Sequence, residues 1–192
     1  MPLIEINGPA TEPVTADEVK AAARIDSDIT EFDTQIAIII PALRRQAEAR
    51  TGRVLVTQTL EVVLDAFPTG EIDLLLPNVQ SIGSVKYRAA GTGTENTLSS
   101  SAYSLDSSST PSWLIQAAGT TWPETYASAN SVRIRFDVGY GDATKVPQDI
   151  KLWMLAHATQ ILRSPDGIIG RDLQPMPFVD GLLDFYRVVR AA

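Results

Sequence analysis

The spacing of apolar residues changes twice along this chain, and that change constrains the fold more than any single motif. From Pro13 to Gly52 they recur every three or four residues, from Val54 to Tyr140 every two, and from Pro147 to Arg190 every three or four again. A helix cannot bury a period-two stripe, nor a strand a period of 3.6. The pattern therefore predicts an α+β fold: a small core of about four helices with an antiparallel β-rich insertion between helices two and three. The expected division is 1–53 for the first part of the helical core, 54–146 for the insertion, and 147–192 for the second part.

Within the first helical stretch, Thr15-Ala-Asp-Glu18 has the form of a capping box, opening a short helix to about Ala23. Asp26-Ser-Asp28 is expected to break it, since short polar side chains compete for backbone amides. A second helix should start near Thr30 or Glu31, with Phe32, Ile36, Ile39, Ile40, Leu43 and Ala47 on one stripe and Gly52 closing it. Pro41 lies inside that stripe and predicts a kink near Ala37 rather than two helices. Pro147 suits the first turn of a third helix carrying Ile150, Trp153, Met154, His157 and Ile161, which Ser164-Pro-Asp-Gly167 should terminate. A Pro-rich link then leads to a final helix with Phe178, Leu182, Phe185, Tyr186 and Val189 on one face.

In the middle stretch, Leu60, Val62 and Leu64 face one way and Glu61, Val63 and Asp65 the other. Ile72 to Leu76, Ser81 to Arg88 and Trp113 to Ile115 are further strands, and Gly91 to Asn96 has the composition of a hairpin tip. The clearest strand places Val132, Ile134, Phe136 and Val138 inward, with Arg133, Arg135 and Asp137 outward.

Composition narrows the function. The 192 residues carry a net charge of −7, from 23 acidic against 16 basic side chains. That balance disfavours tight binding to nucleic-acid phosphates, which needs clustered Lys and Arg. There is no cysteine, which rules out thiol chemistry and disulfides and suits a reducing cytoplasm. No apolar run approaches the roughly 20 residues of a membrane helix, and the first residues lack the form of a signal peptide.

No catalytic constellation emerges, and no cofactor is called for. His157 is the only histidine; mid-helix and without an acid or nucleophile one turn away, it has the setting of a packed structural residue. Asp26, Asp28, Glu31 and Asp33 fail as a calcium loop, because Glu31 stands where glycine is needed and Ala37 where a bidentate glutamate belongs. Gly91-x-Gly93 and Gly139-x-Gly141 lack the strand–loop–helix setting of a dinucleotide site. Arg44, Arg45, Arg50 and Arg53 are expected to form a solvated or intersubunit face rather than a phosphate patch. The terminal amphipathic helix can either dock on a partner or pack back on its own domain.

Several segments, taken in order, resemble one family. Pro13-Val-Thr-Ala-Asp-Glu-Val-Lys20 with Ala23-Arg-Ile-Asp26, then Ala49-Arg-Thr-Gly-Arg53, Thr57-Gln-Thr-Leu60 and Leu64-Asp-Ala-Phe-Pro68 form the first group. Val79-Gln-Ser-Ile-Gly-Ser-Val85, Tyr103-Ser-Leu105, Trp122-Pro123, Arg133 to Gly141 and Val146-Pro-Gln-Asp-Ile150 form the second. Together they resemble the head–tail connector (adaptor) proteins of long-tailed bacteriophages and gene transfer agents. The resemblance spans Pro13 to Leu162.

That resemblance implies a structural, non-enzymatic virion neck protein made in the bacterial cytoplasm. It implies a homo-oligomeric ring of about twelve copies between the portal protein and a stopper or tail-terminator protein, with genome DNA passing through the bore without sequence-specific binding. On this basis Phe178, Leu182, Phe185, Tyr186, Val189 and Arg190 are candidates for docking on the portal. Gly91, Gly93 and Ser107 are candidates for loops on the tail side. Two other assignments stay open: a neck stopper, and a tail or baseplate module recognising sugars through Trp113, Trp122 and Tyr126.

Overall fold

The computed structural model describes residues 2–164 and 176–188. Its elements are mixed α and β, and most strands lie between the second and third helices, as the change of period requires. The chain divides into two compact units, one of Met1–Ala10 with Thr57–Tyr140 and one of Thr11–Val56 with Gly141–Ala192.

The helical unit contains α1 (Ala16–Ala23), α2 (Asp33–Thr51), α3 (Gln148–Arg163) and α4 (Pro177–Gly181). The capping box is present: Glu18 N donates to Thr15 Oγ1 at 3.1 Å, and Thr15 N donates to Glu18 Oε2 at 2.7 Å. What ends α1 is not the acidic triplet but Arg24, which is left-handed (φ 57°) and donates its amide to Ala21 O. Helix α2 starts later than expected, because a turn from Thr30 to Asp33 precedes it. It continues through Pro41 as one element. The donor that Pro41 lacks would have reached Ala37, which is exposed, so that carbonyl is open to water.

Ile36, Ile39, Ile40, Leu43 and Ala47 are buried, as their spacing requires, and Gly52 closes α2 at φ 68°. Pro147 is the residue before α3 rather than its first helical residue. Helix α3 packs on α1 and α2 through a face that buries Ile150, Trp153, Met154 and Ala158.

The β unit holds two antiparallel sheets. The larger has the order β1-β2-β8-β4-β5, from Leu3–Asn7, Gln58–Leu64, Val132–Val138, Val79–Arg88 and Glu95–Thr97. The smaller has β3-β7-β6, from Ile72–Asp73, Trp113–Gln116 and Tyr103–Asp106. Strand β1 has no counterpart in the periodicity, and it takes the first residues out of the expected helical part by pairing Leu3 with Val62.

Strand β8 is the centre of the larger sheet. Val132, Ile134, Phe136 and Val138 are fully buried and Arg133 and Arg135 exposed. Phe136 sits opposite Leu60 on one side and Ile82 on the other. Glu61, expected to face water, is only 5% exposed. It lies across from Arg135 (3.1 Å) and near Arg133 (3.8 Å), whose long stems cover it while their charged ends stay wet.

Candidate docking surface at the C-terminal segment

The single amphipathic helix expected after the Pro-rich link does not form. Helix α4 ends at Gly181, and a 3-10 turn over Asp184–Tyr186 follows. A 3-10 turn has three residues per turn, so the expected single face is split. Leu182 is half-buried, while its neighbour Leu183 is the apolar anchor at 1% exposure. Phe178 and Phe185 point outward, 79% and 89% exposed. Val189 and Arg190 lie outside the described residues.

Around that anchor the segment is tied to the helical unit by polar contacts. Asp180 Oδ1 accepts from Arg50 Nη1 at 2.8 Å and Trp153 Nε1 at 3.2 Å, and lies 3.1 Å from His157 Nε2. Arg53 Nε donates to Tyr186 O at 2.7 Å, Val188 N to Thr51 O at 2.8 Å, and the Tyr186 hydroxyl to Asp149 at 3.0 Å. Arg50 also stands over the Trp153 ring, 5.3 Å from its centroid, and the His157 ring packs on the same indole at 4.3 Å. Of the two alternatives for this segment, residues 176–188 pack on their own unit while keeping two phenylalanines free.

These contacts set the local charge states. Partial burial pushes His157 below its ordinary value, and the Arg50 cation adds to that. The hydrogen bond and charge of Asp180 pull the other way without overcoming it. Burial by itself would raise Asp180, but hydrogen bonds from Arg50, Trp153 and His157 outweigh it and hold the carboxyl below its usual range.

The arginines do not form a solvated face. Arg44 is buried, bonded to Glu12 at 2.8 Å and Glu48 at 2.9 Å. Arg50 and Arg53 hold the C-terminal segment, and Arg45 is exposed. A buried cation must be paired to offset desolvation, and α2 supplies Glu48 one turn from Arg44. In the acidic cluster, Asp33 pairs with the buried Lys20 at 2.6 Å, whereas Asp26, Asp28 and Glu31 are exposed. Among the described residues, no three His, Cys, Asp or Glu side chains are grouped to hold a metal ion. Among them, too, no helix is long and apolar enough to cross a membrane.

The candidate tail-side residues lie at hairpin tips of different sheets. Gly91 and Gly93, with φ of 79° and 69°, turn the chain between β4 and β5. A side chain at Gly93 would also meet the Tyr126 ring at 3.7 Å. Ser107 is exposed just after β6, in a turn where Asp106 accepts from the Ser108 amide at 2.9 Å and the Ser109 hydroxyl at 2.6 Å. Trp113 is half-buried in β7. Trp122 is half-buried and stacked on Phe67 (5.1 Å, 5°), with its indole N–H on Gly70 O at 2.8 Å. These contacts give Trp122 a packing role, and only Tyr126 of the three aromatics is exposed.

Asp180 and Leu183 were missed from sequence, as was the convergence of Arg50 and Trp153 on Asp180. Their meeting had no local signal, because Asp180 is 130 residues from Arg50 and 27 from Trp153.

No protein-family model matches the chain, and no curated protein matches it. Solved structures do. The chain aligns over 100% of its length with 98% of a chain in the neck of an empty gene transfer agent particle computed with C6 symmetry, at TM-score 0.81 and 21% identity. Coverage, score and identity are the same for a chain in the virion of a native gene transfer agent particle. A third chain, from the neck of a native gene transfer agent particle computed with C12 symmetry, aligns with the same coverage at TM-score 0.72. At 21% identity this likeness establishes the fold.

Proposed function

We propose that this chain is a structural, non-enzymatic neck protein of a phage-like or gene transfer agent particle. Its role is that of a head–tail adaptor, forming a ring of about twelve copies under the portal. The observation that carries this is end-to-end agreement of fold, 100% of this chain against 98% of the other, with a chain of a gene transfer agent neck. The resemblance of ordered sequence segments from Pro13 to Leu162 is independent support. The six- and twelve-fold symmetries of the matched necks suit a homo-oligomeric ring.

In this role the portal sits on one side of the ring and a stopper or tail-terminator protein on the other. Phe178 and Phe185 dock on the portal with Leu182 and Tyr186, and the loops at Gly91, Gly93 and Ser107 face the tail. An exposed aromatic pair beside polar groups has the make-up of an interface anchor. Genome DNA passes through the bore. A charge of −7 per copy disfavours retention of phosphates there, acting over about 8 Å at physiological salt.

The test is to mix the purified chain with its cognate portal protein and image the product by electron microscopy, with each component alone as control. A ring stacked on the portal, one copy per portal subunit, is the expected result. A well-formed portal with nothing attached would reject the adaptor role.

A further inference from the structure

Asp180 lies between the two exposed phenylalanines, two residues after Phe178 and five before Phe185. A single oxygen of its carboxylate meets groups on two helices, Arg50 of α2 and both Trp153 and His157 of α3, all within 3.2 Å. Charge-assisted bonds of this kind are short and directional. Three of them converging from separate elements leave the side chain little freedom to rotate. Leu183 supplies the apolar contact that holds the segment down, but an apolar contact does not fix direction.

We propose that Asp180 is a positioning residue. It locks residues 176–188 on the helical unit, so that Phe178 and Phe185 are presented as a fixed pair rather than on an arm that orders only when it binds. Pre-ordering removes from the binding step the entropy of fixing this segment. The binding consequence rests on the docking role proposed above. The lock itself is a property of the chain alone.

Four proteins test it: the parent, Asp180→Ala, Asp180→Ala with a staple, and Arg50→Gln. A Cβ built on Gly52 lies 3.4 Å from Val188 Cβ, close to the roughly 3.5–4.5 Å span of a disulfide. In a chain without cysteine, Gly52→Cys with Val188→Cys gives one defined crosslink, at the cost of some strain because Gly52 is left-handed. Amide exchange is followed by mass spectrometry, and binding is measured against the cognate portal, with melting curves to verify folding.

Asp180→Ala should speed exchange across 179–188 about tenfold or more while the other segments stay protected. It should also weaken portal binding about tenfold or more, and the staple should restore most of both. Arg50→Gln, which leaves the segment itself untouched, should give a smaller loss in the same direction and covers the case in which Asp180→Ala fails to fold. Unchanged exchange in Asp180→Ala or Arg50→Gln overturns the lock. Slowed exchange without recovered binding in the stapled protein overturns positioning, since Asp180 would then be acting on the partner. Faster exchange with parental portal binding leaves the lock standing but overturns positioning, since the segment would then bind equally well without being pre-ordered; whether the surface docks at all is read separately from the phenylalanine variants.

Discussion

Strand β8 is held through a buried face of four apolar side chains paired on both flanks, mostly with apolar partners, whereas residues 176–188 are held by one buried leucine and a handful of polar contacts. Val132, Ile134, Phe136 and Val138 are all fully buried, opposite partners in β2 and β4. In the C-terminal segment only Leu183 is buried to that degree, and both phenylalanines are left in water. The first arrangement gives a scaffold that tolerates no gap. The second gives a surface whose order depends on a few specific donors and which can be altered without unfolding the rest.

The comparison can be broken at graded cost. Phe136→Ala should be the most damaging change, costing about 3–5 kcal/mol by opening a cavity in the central strand; a denaturant titration checks it. Leu183→Ala should cost about 2–4 kcal/mol, with the loss concentrated in rapid amide exchange of 176–188. If Leu183→Ala instead unfolds the whole chain as Phe136→Ala does, the two regions are not distinct in the way described.

Acid should separate them further. His157 is held below its ordinary value of 6.5, by burial first and by Arg50 as well. The folded state thus binds this proton less readily than the unfolded state. Its contribution is fully retained above the unfolded value, and stability falls as pH drops from there through the lower folded value. Asp180 acts later, since its stabilisation is lost only as pH falls below the usual carboxylate range. Exchange of 176–188 should therefore rise as pH falls below about 6.5, after correction for intrinsic rates, while β8 stays protected. His157→Gln should flatten that response, and a response that persists in this variant would assign it to another group.

The same contrast explains what could be read in the sequence. Strand β8 was legible because its alternation is strict, and α1 because a capping box needs only residues three apart. The α+β order followed from the change of period. Elsewhere, the cause lay far along the chain. Continuing the helical period past Gly181 selects Leu182, but the helix stops there and Leu183 becomes the anchor. Arg44, Arg50 and Arg53 looked solvent-facing because Glu12, Asp180 and the Tyr186 carbonyl, which they meet, lie far from them along the chain. Glu61 looked exposed because period two ignores the covering reach of arginine stems on the next strand. Resemblance to head–tail adaptors was carried by scattered segments, and the proposed docking surface at the C-terminus lies beyond the region of resemblance.

The smallest expected effect on stability is also the most direct test of the account. Phe178→Ser with Phe185→Ser removes the two exposed rings and leaves Leu183 and Asp180 in place. Surface changes of this kind shift stability by about 0.5 kcal/mol or less, so the melting temperature should stay close to the parent's. Co-sedimentation with the cognate portal should be strong for the parent and lost for the double variant. Retained sedimentation of a folded double variant, or no sedimentation of the parent, would contradict the claim that this surface joins the chain to a portal.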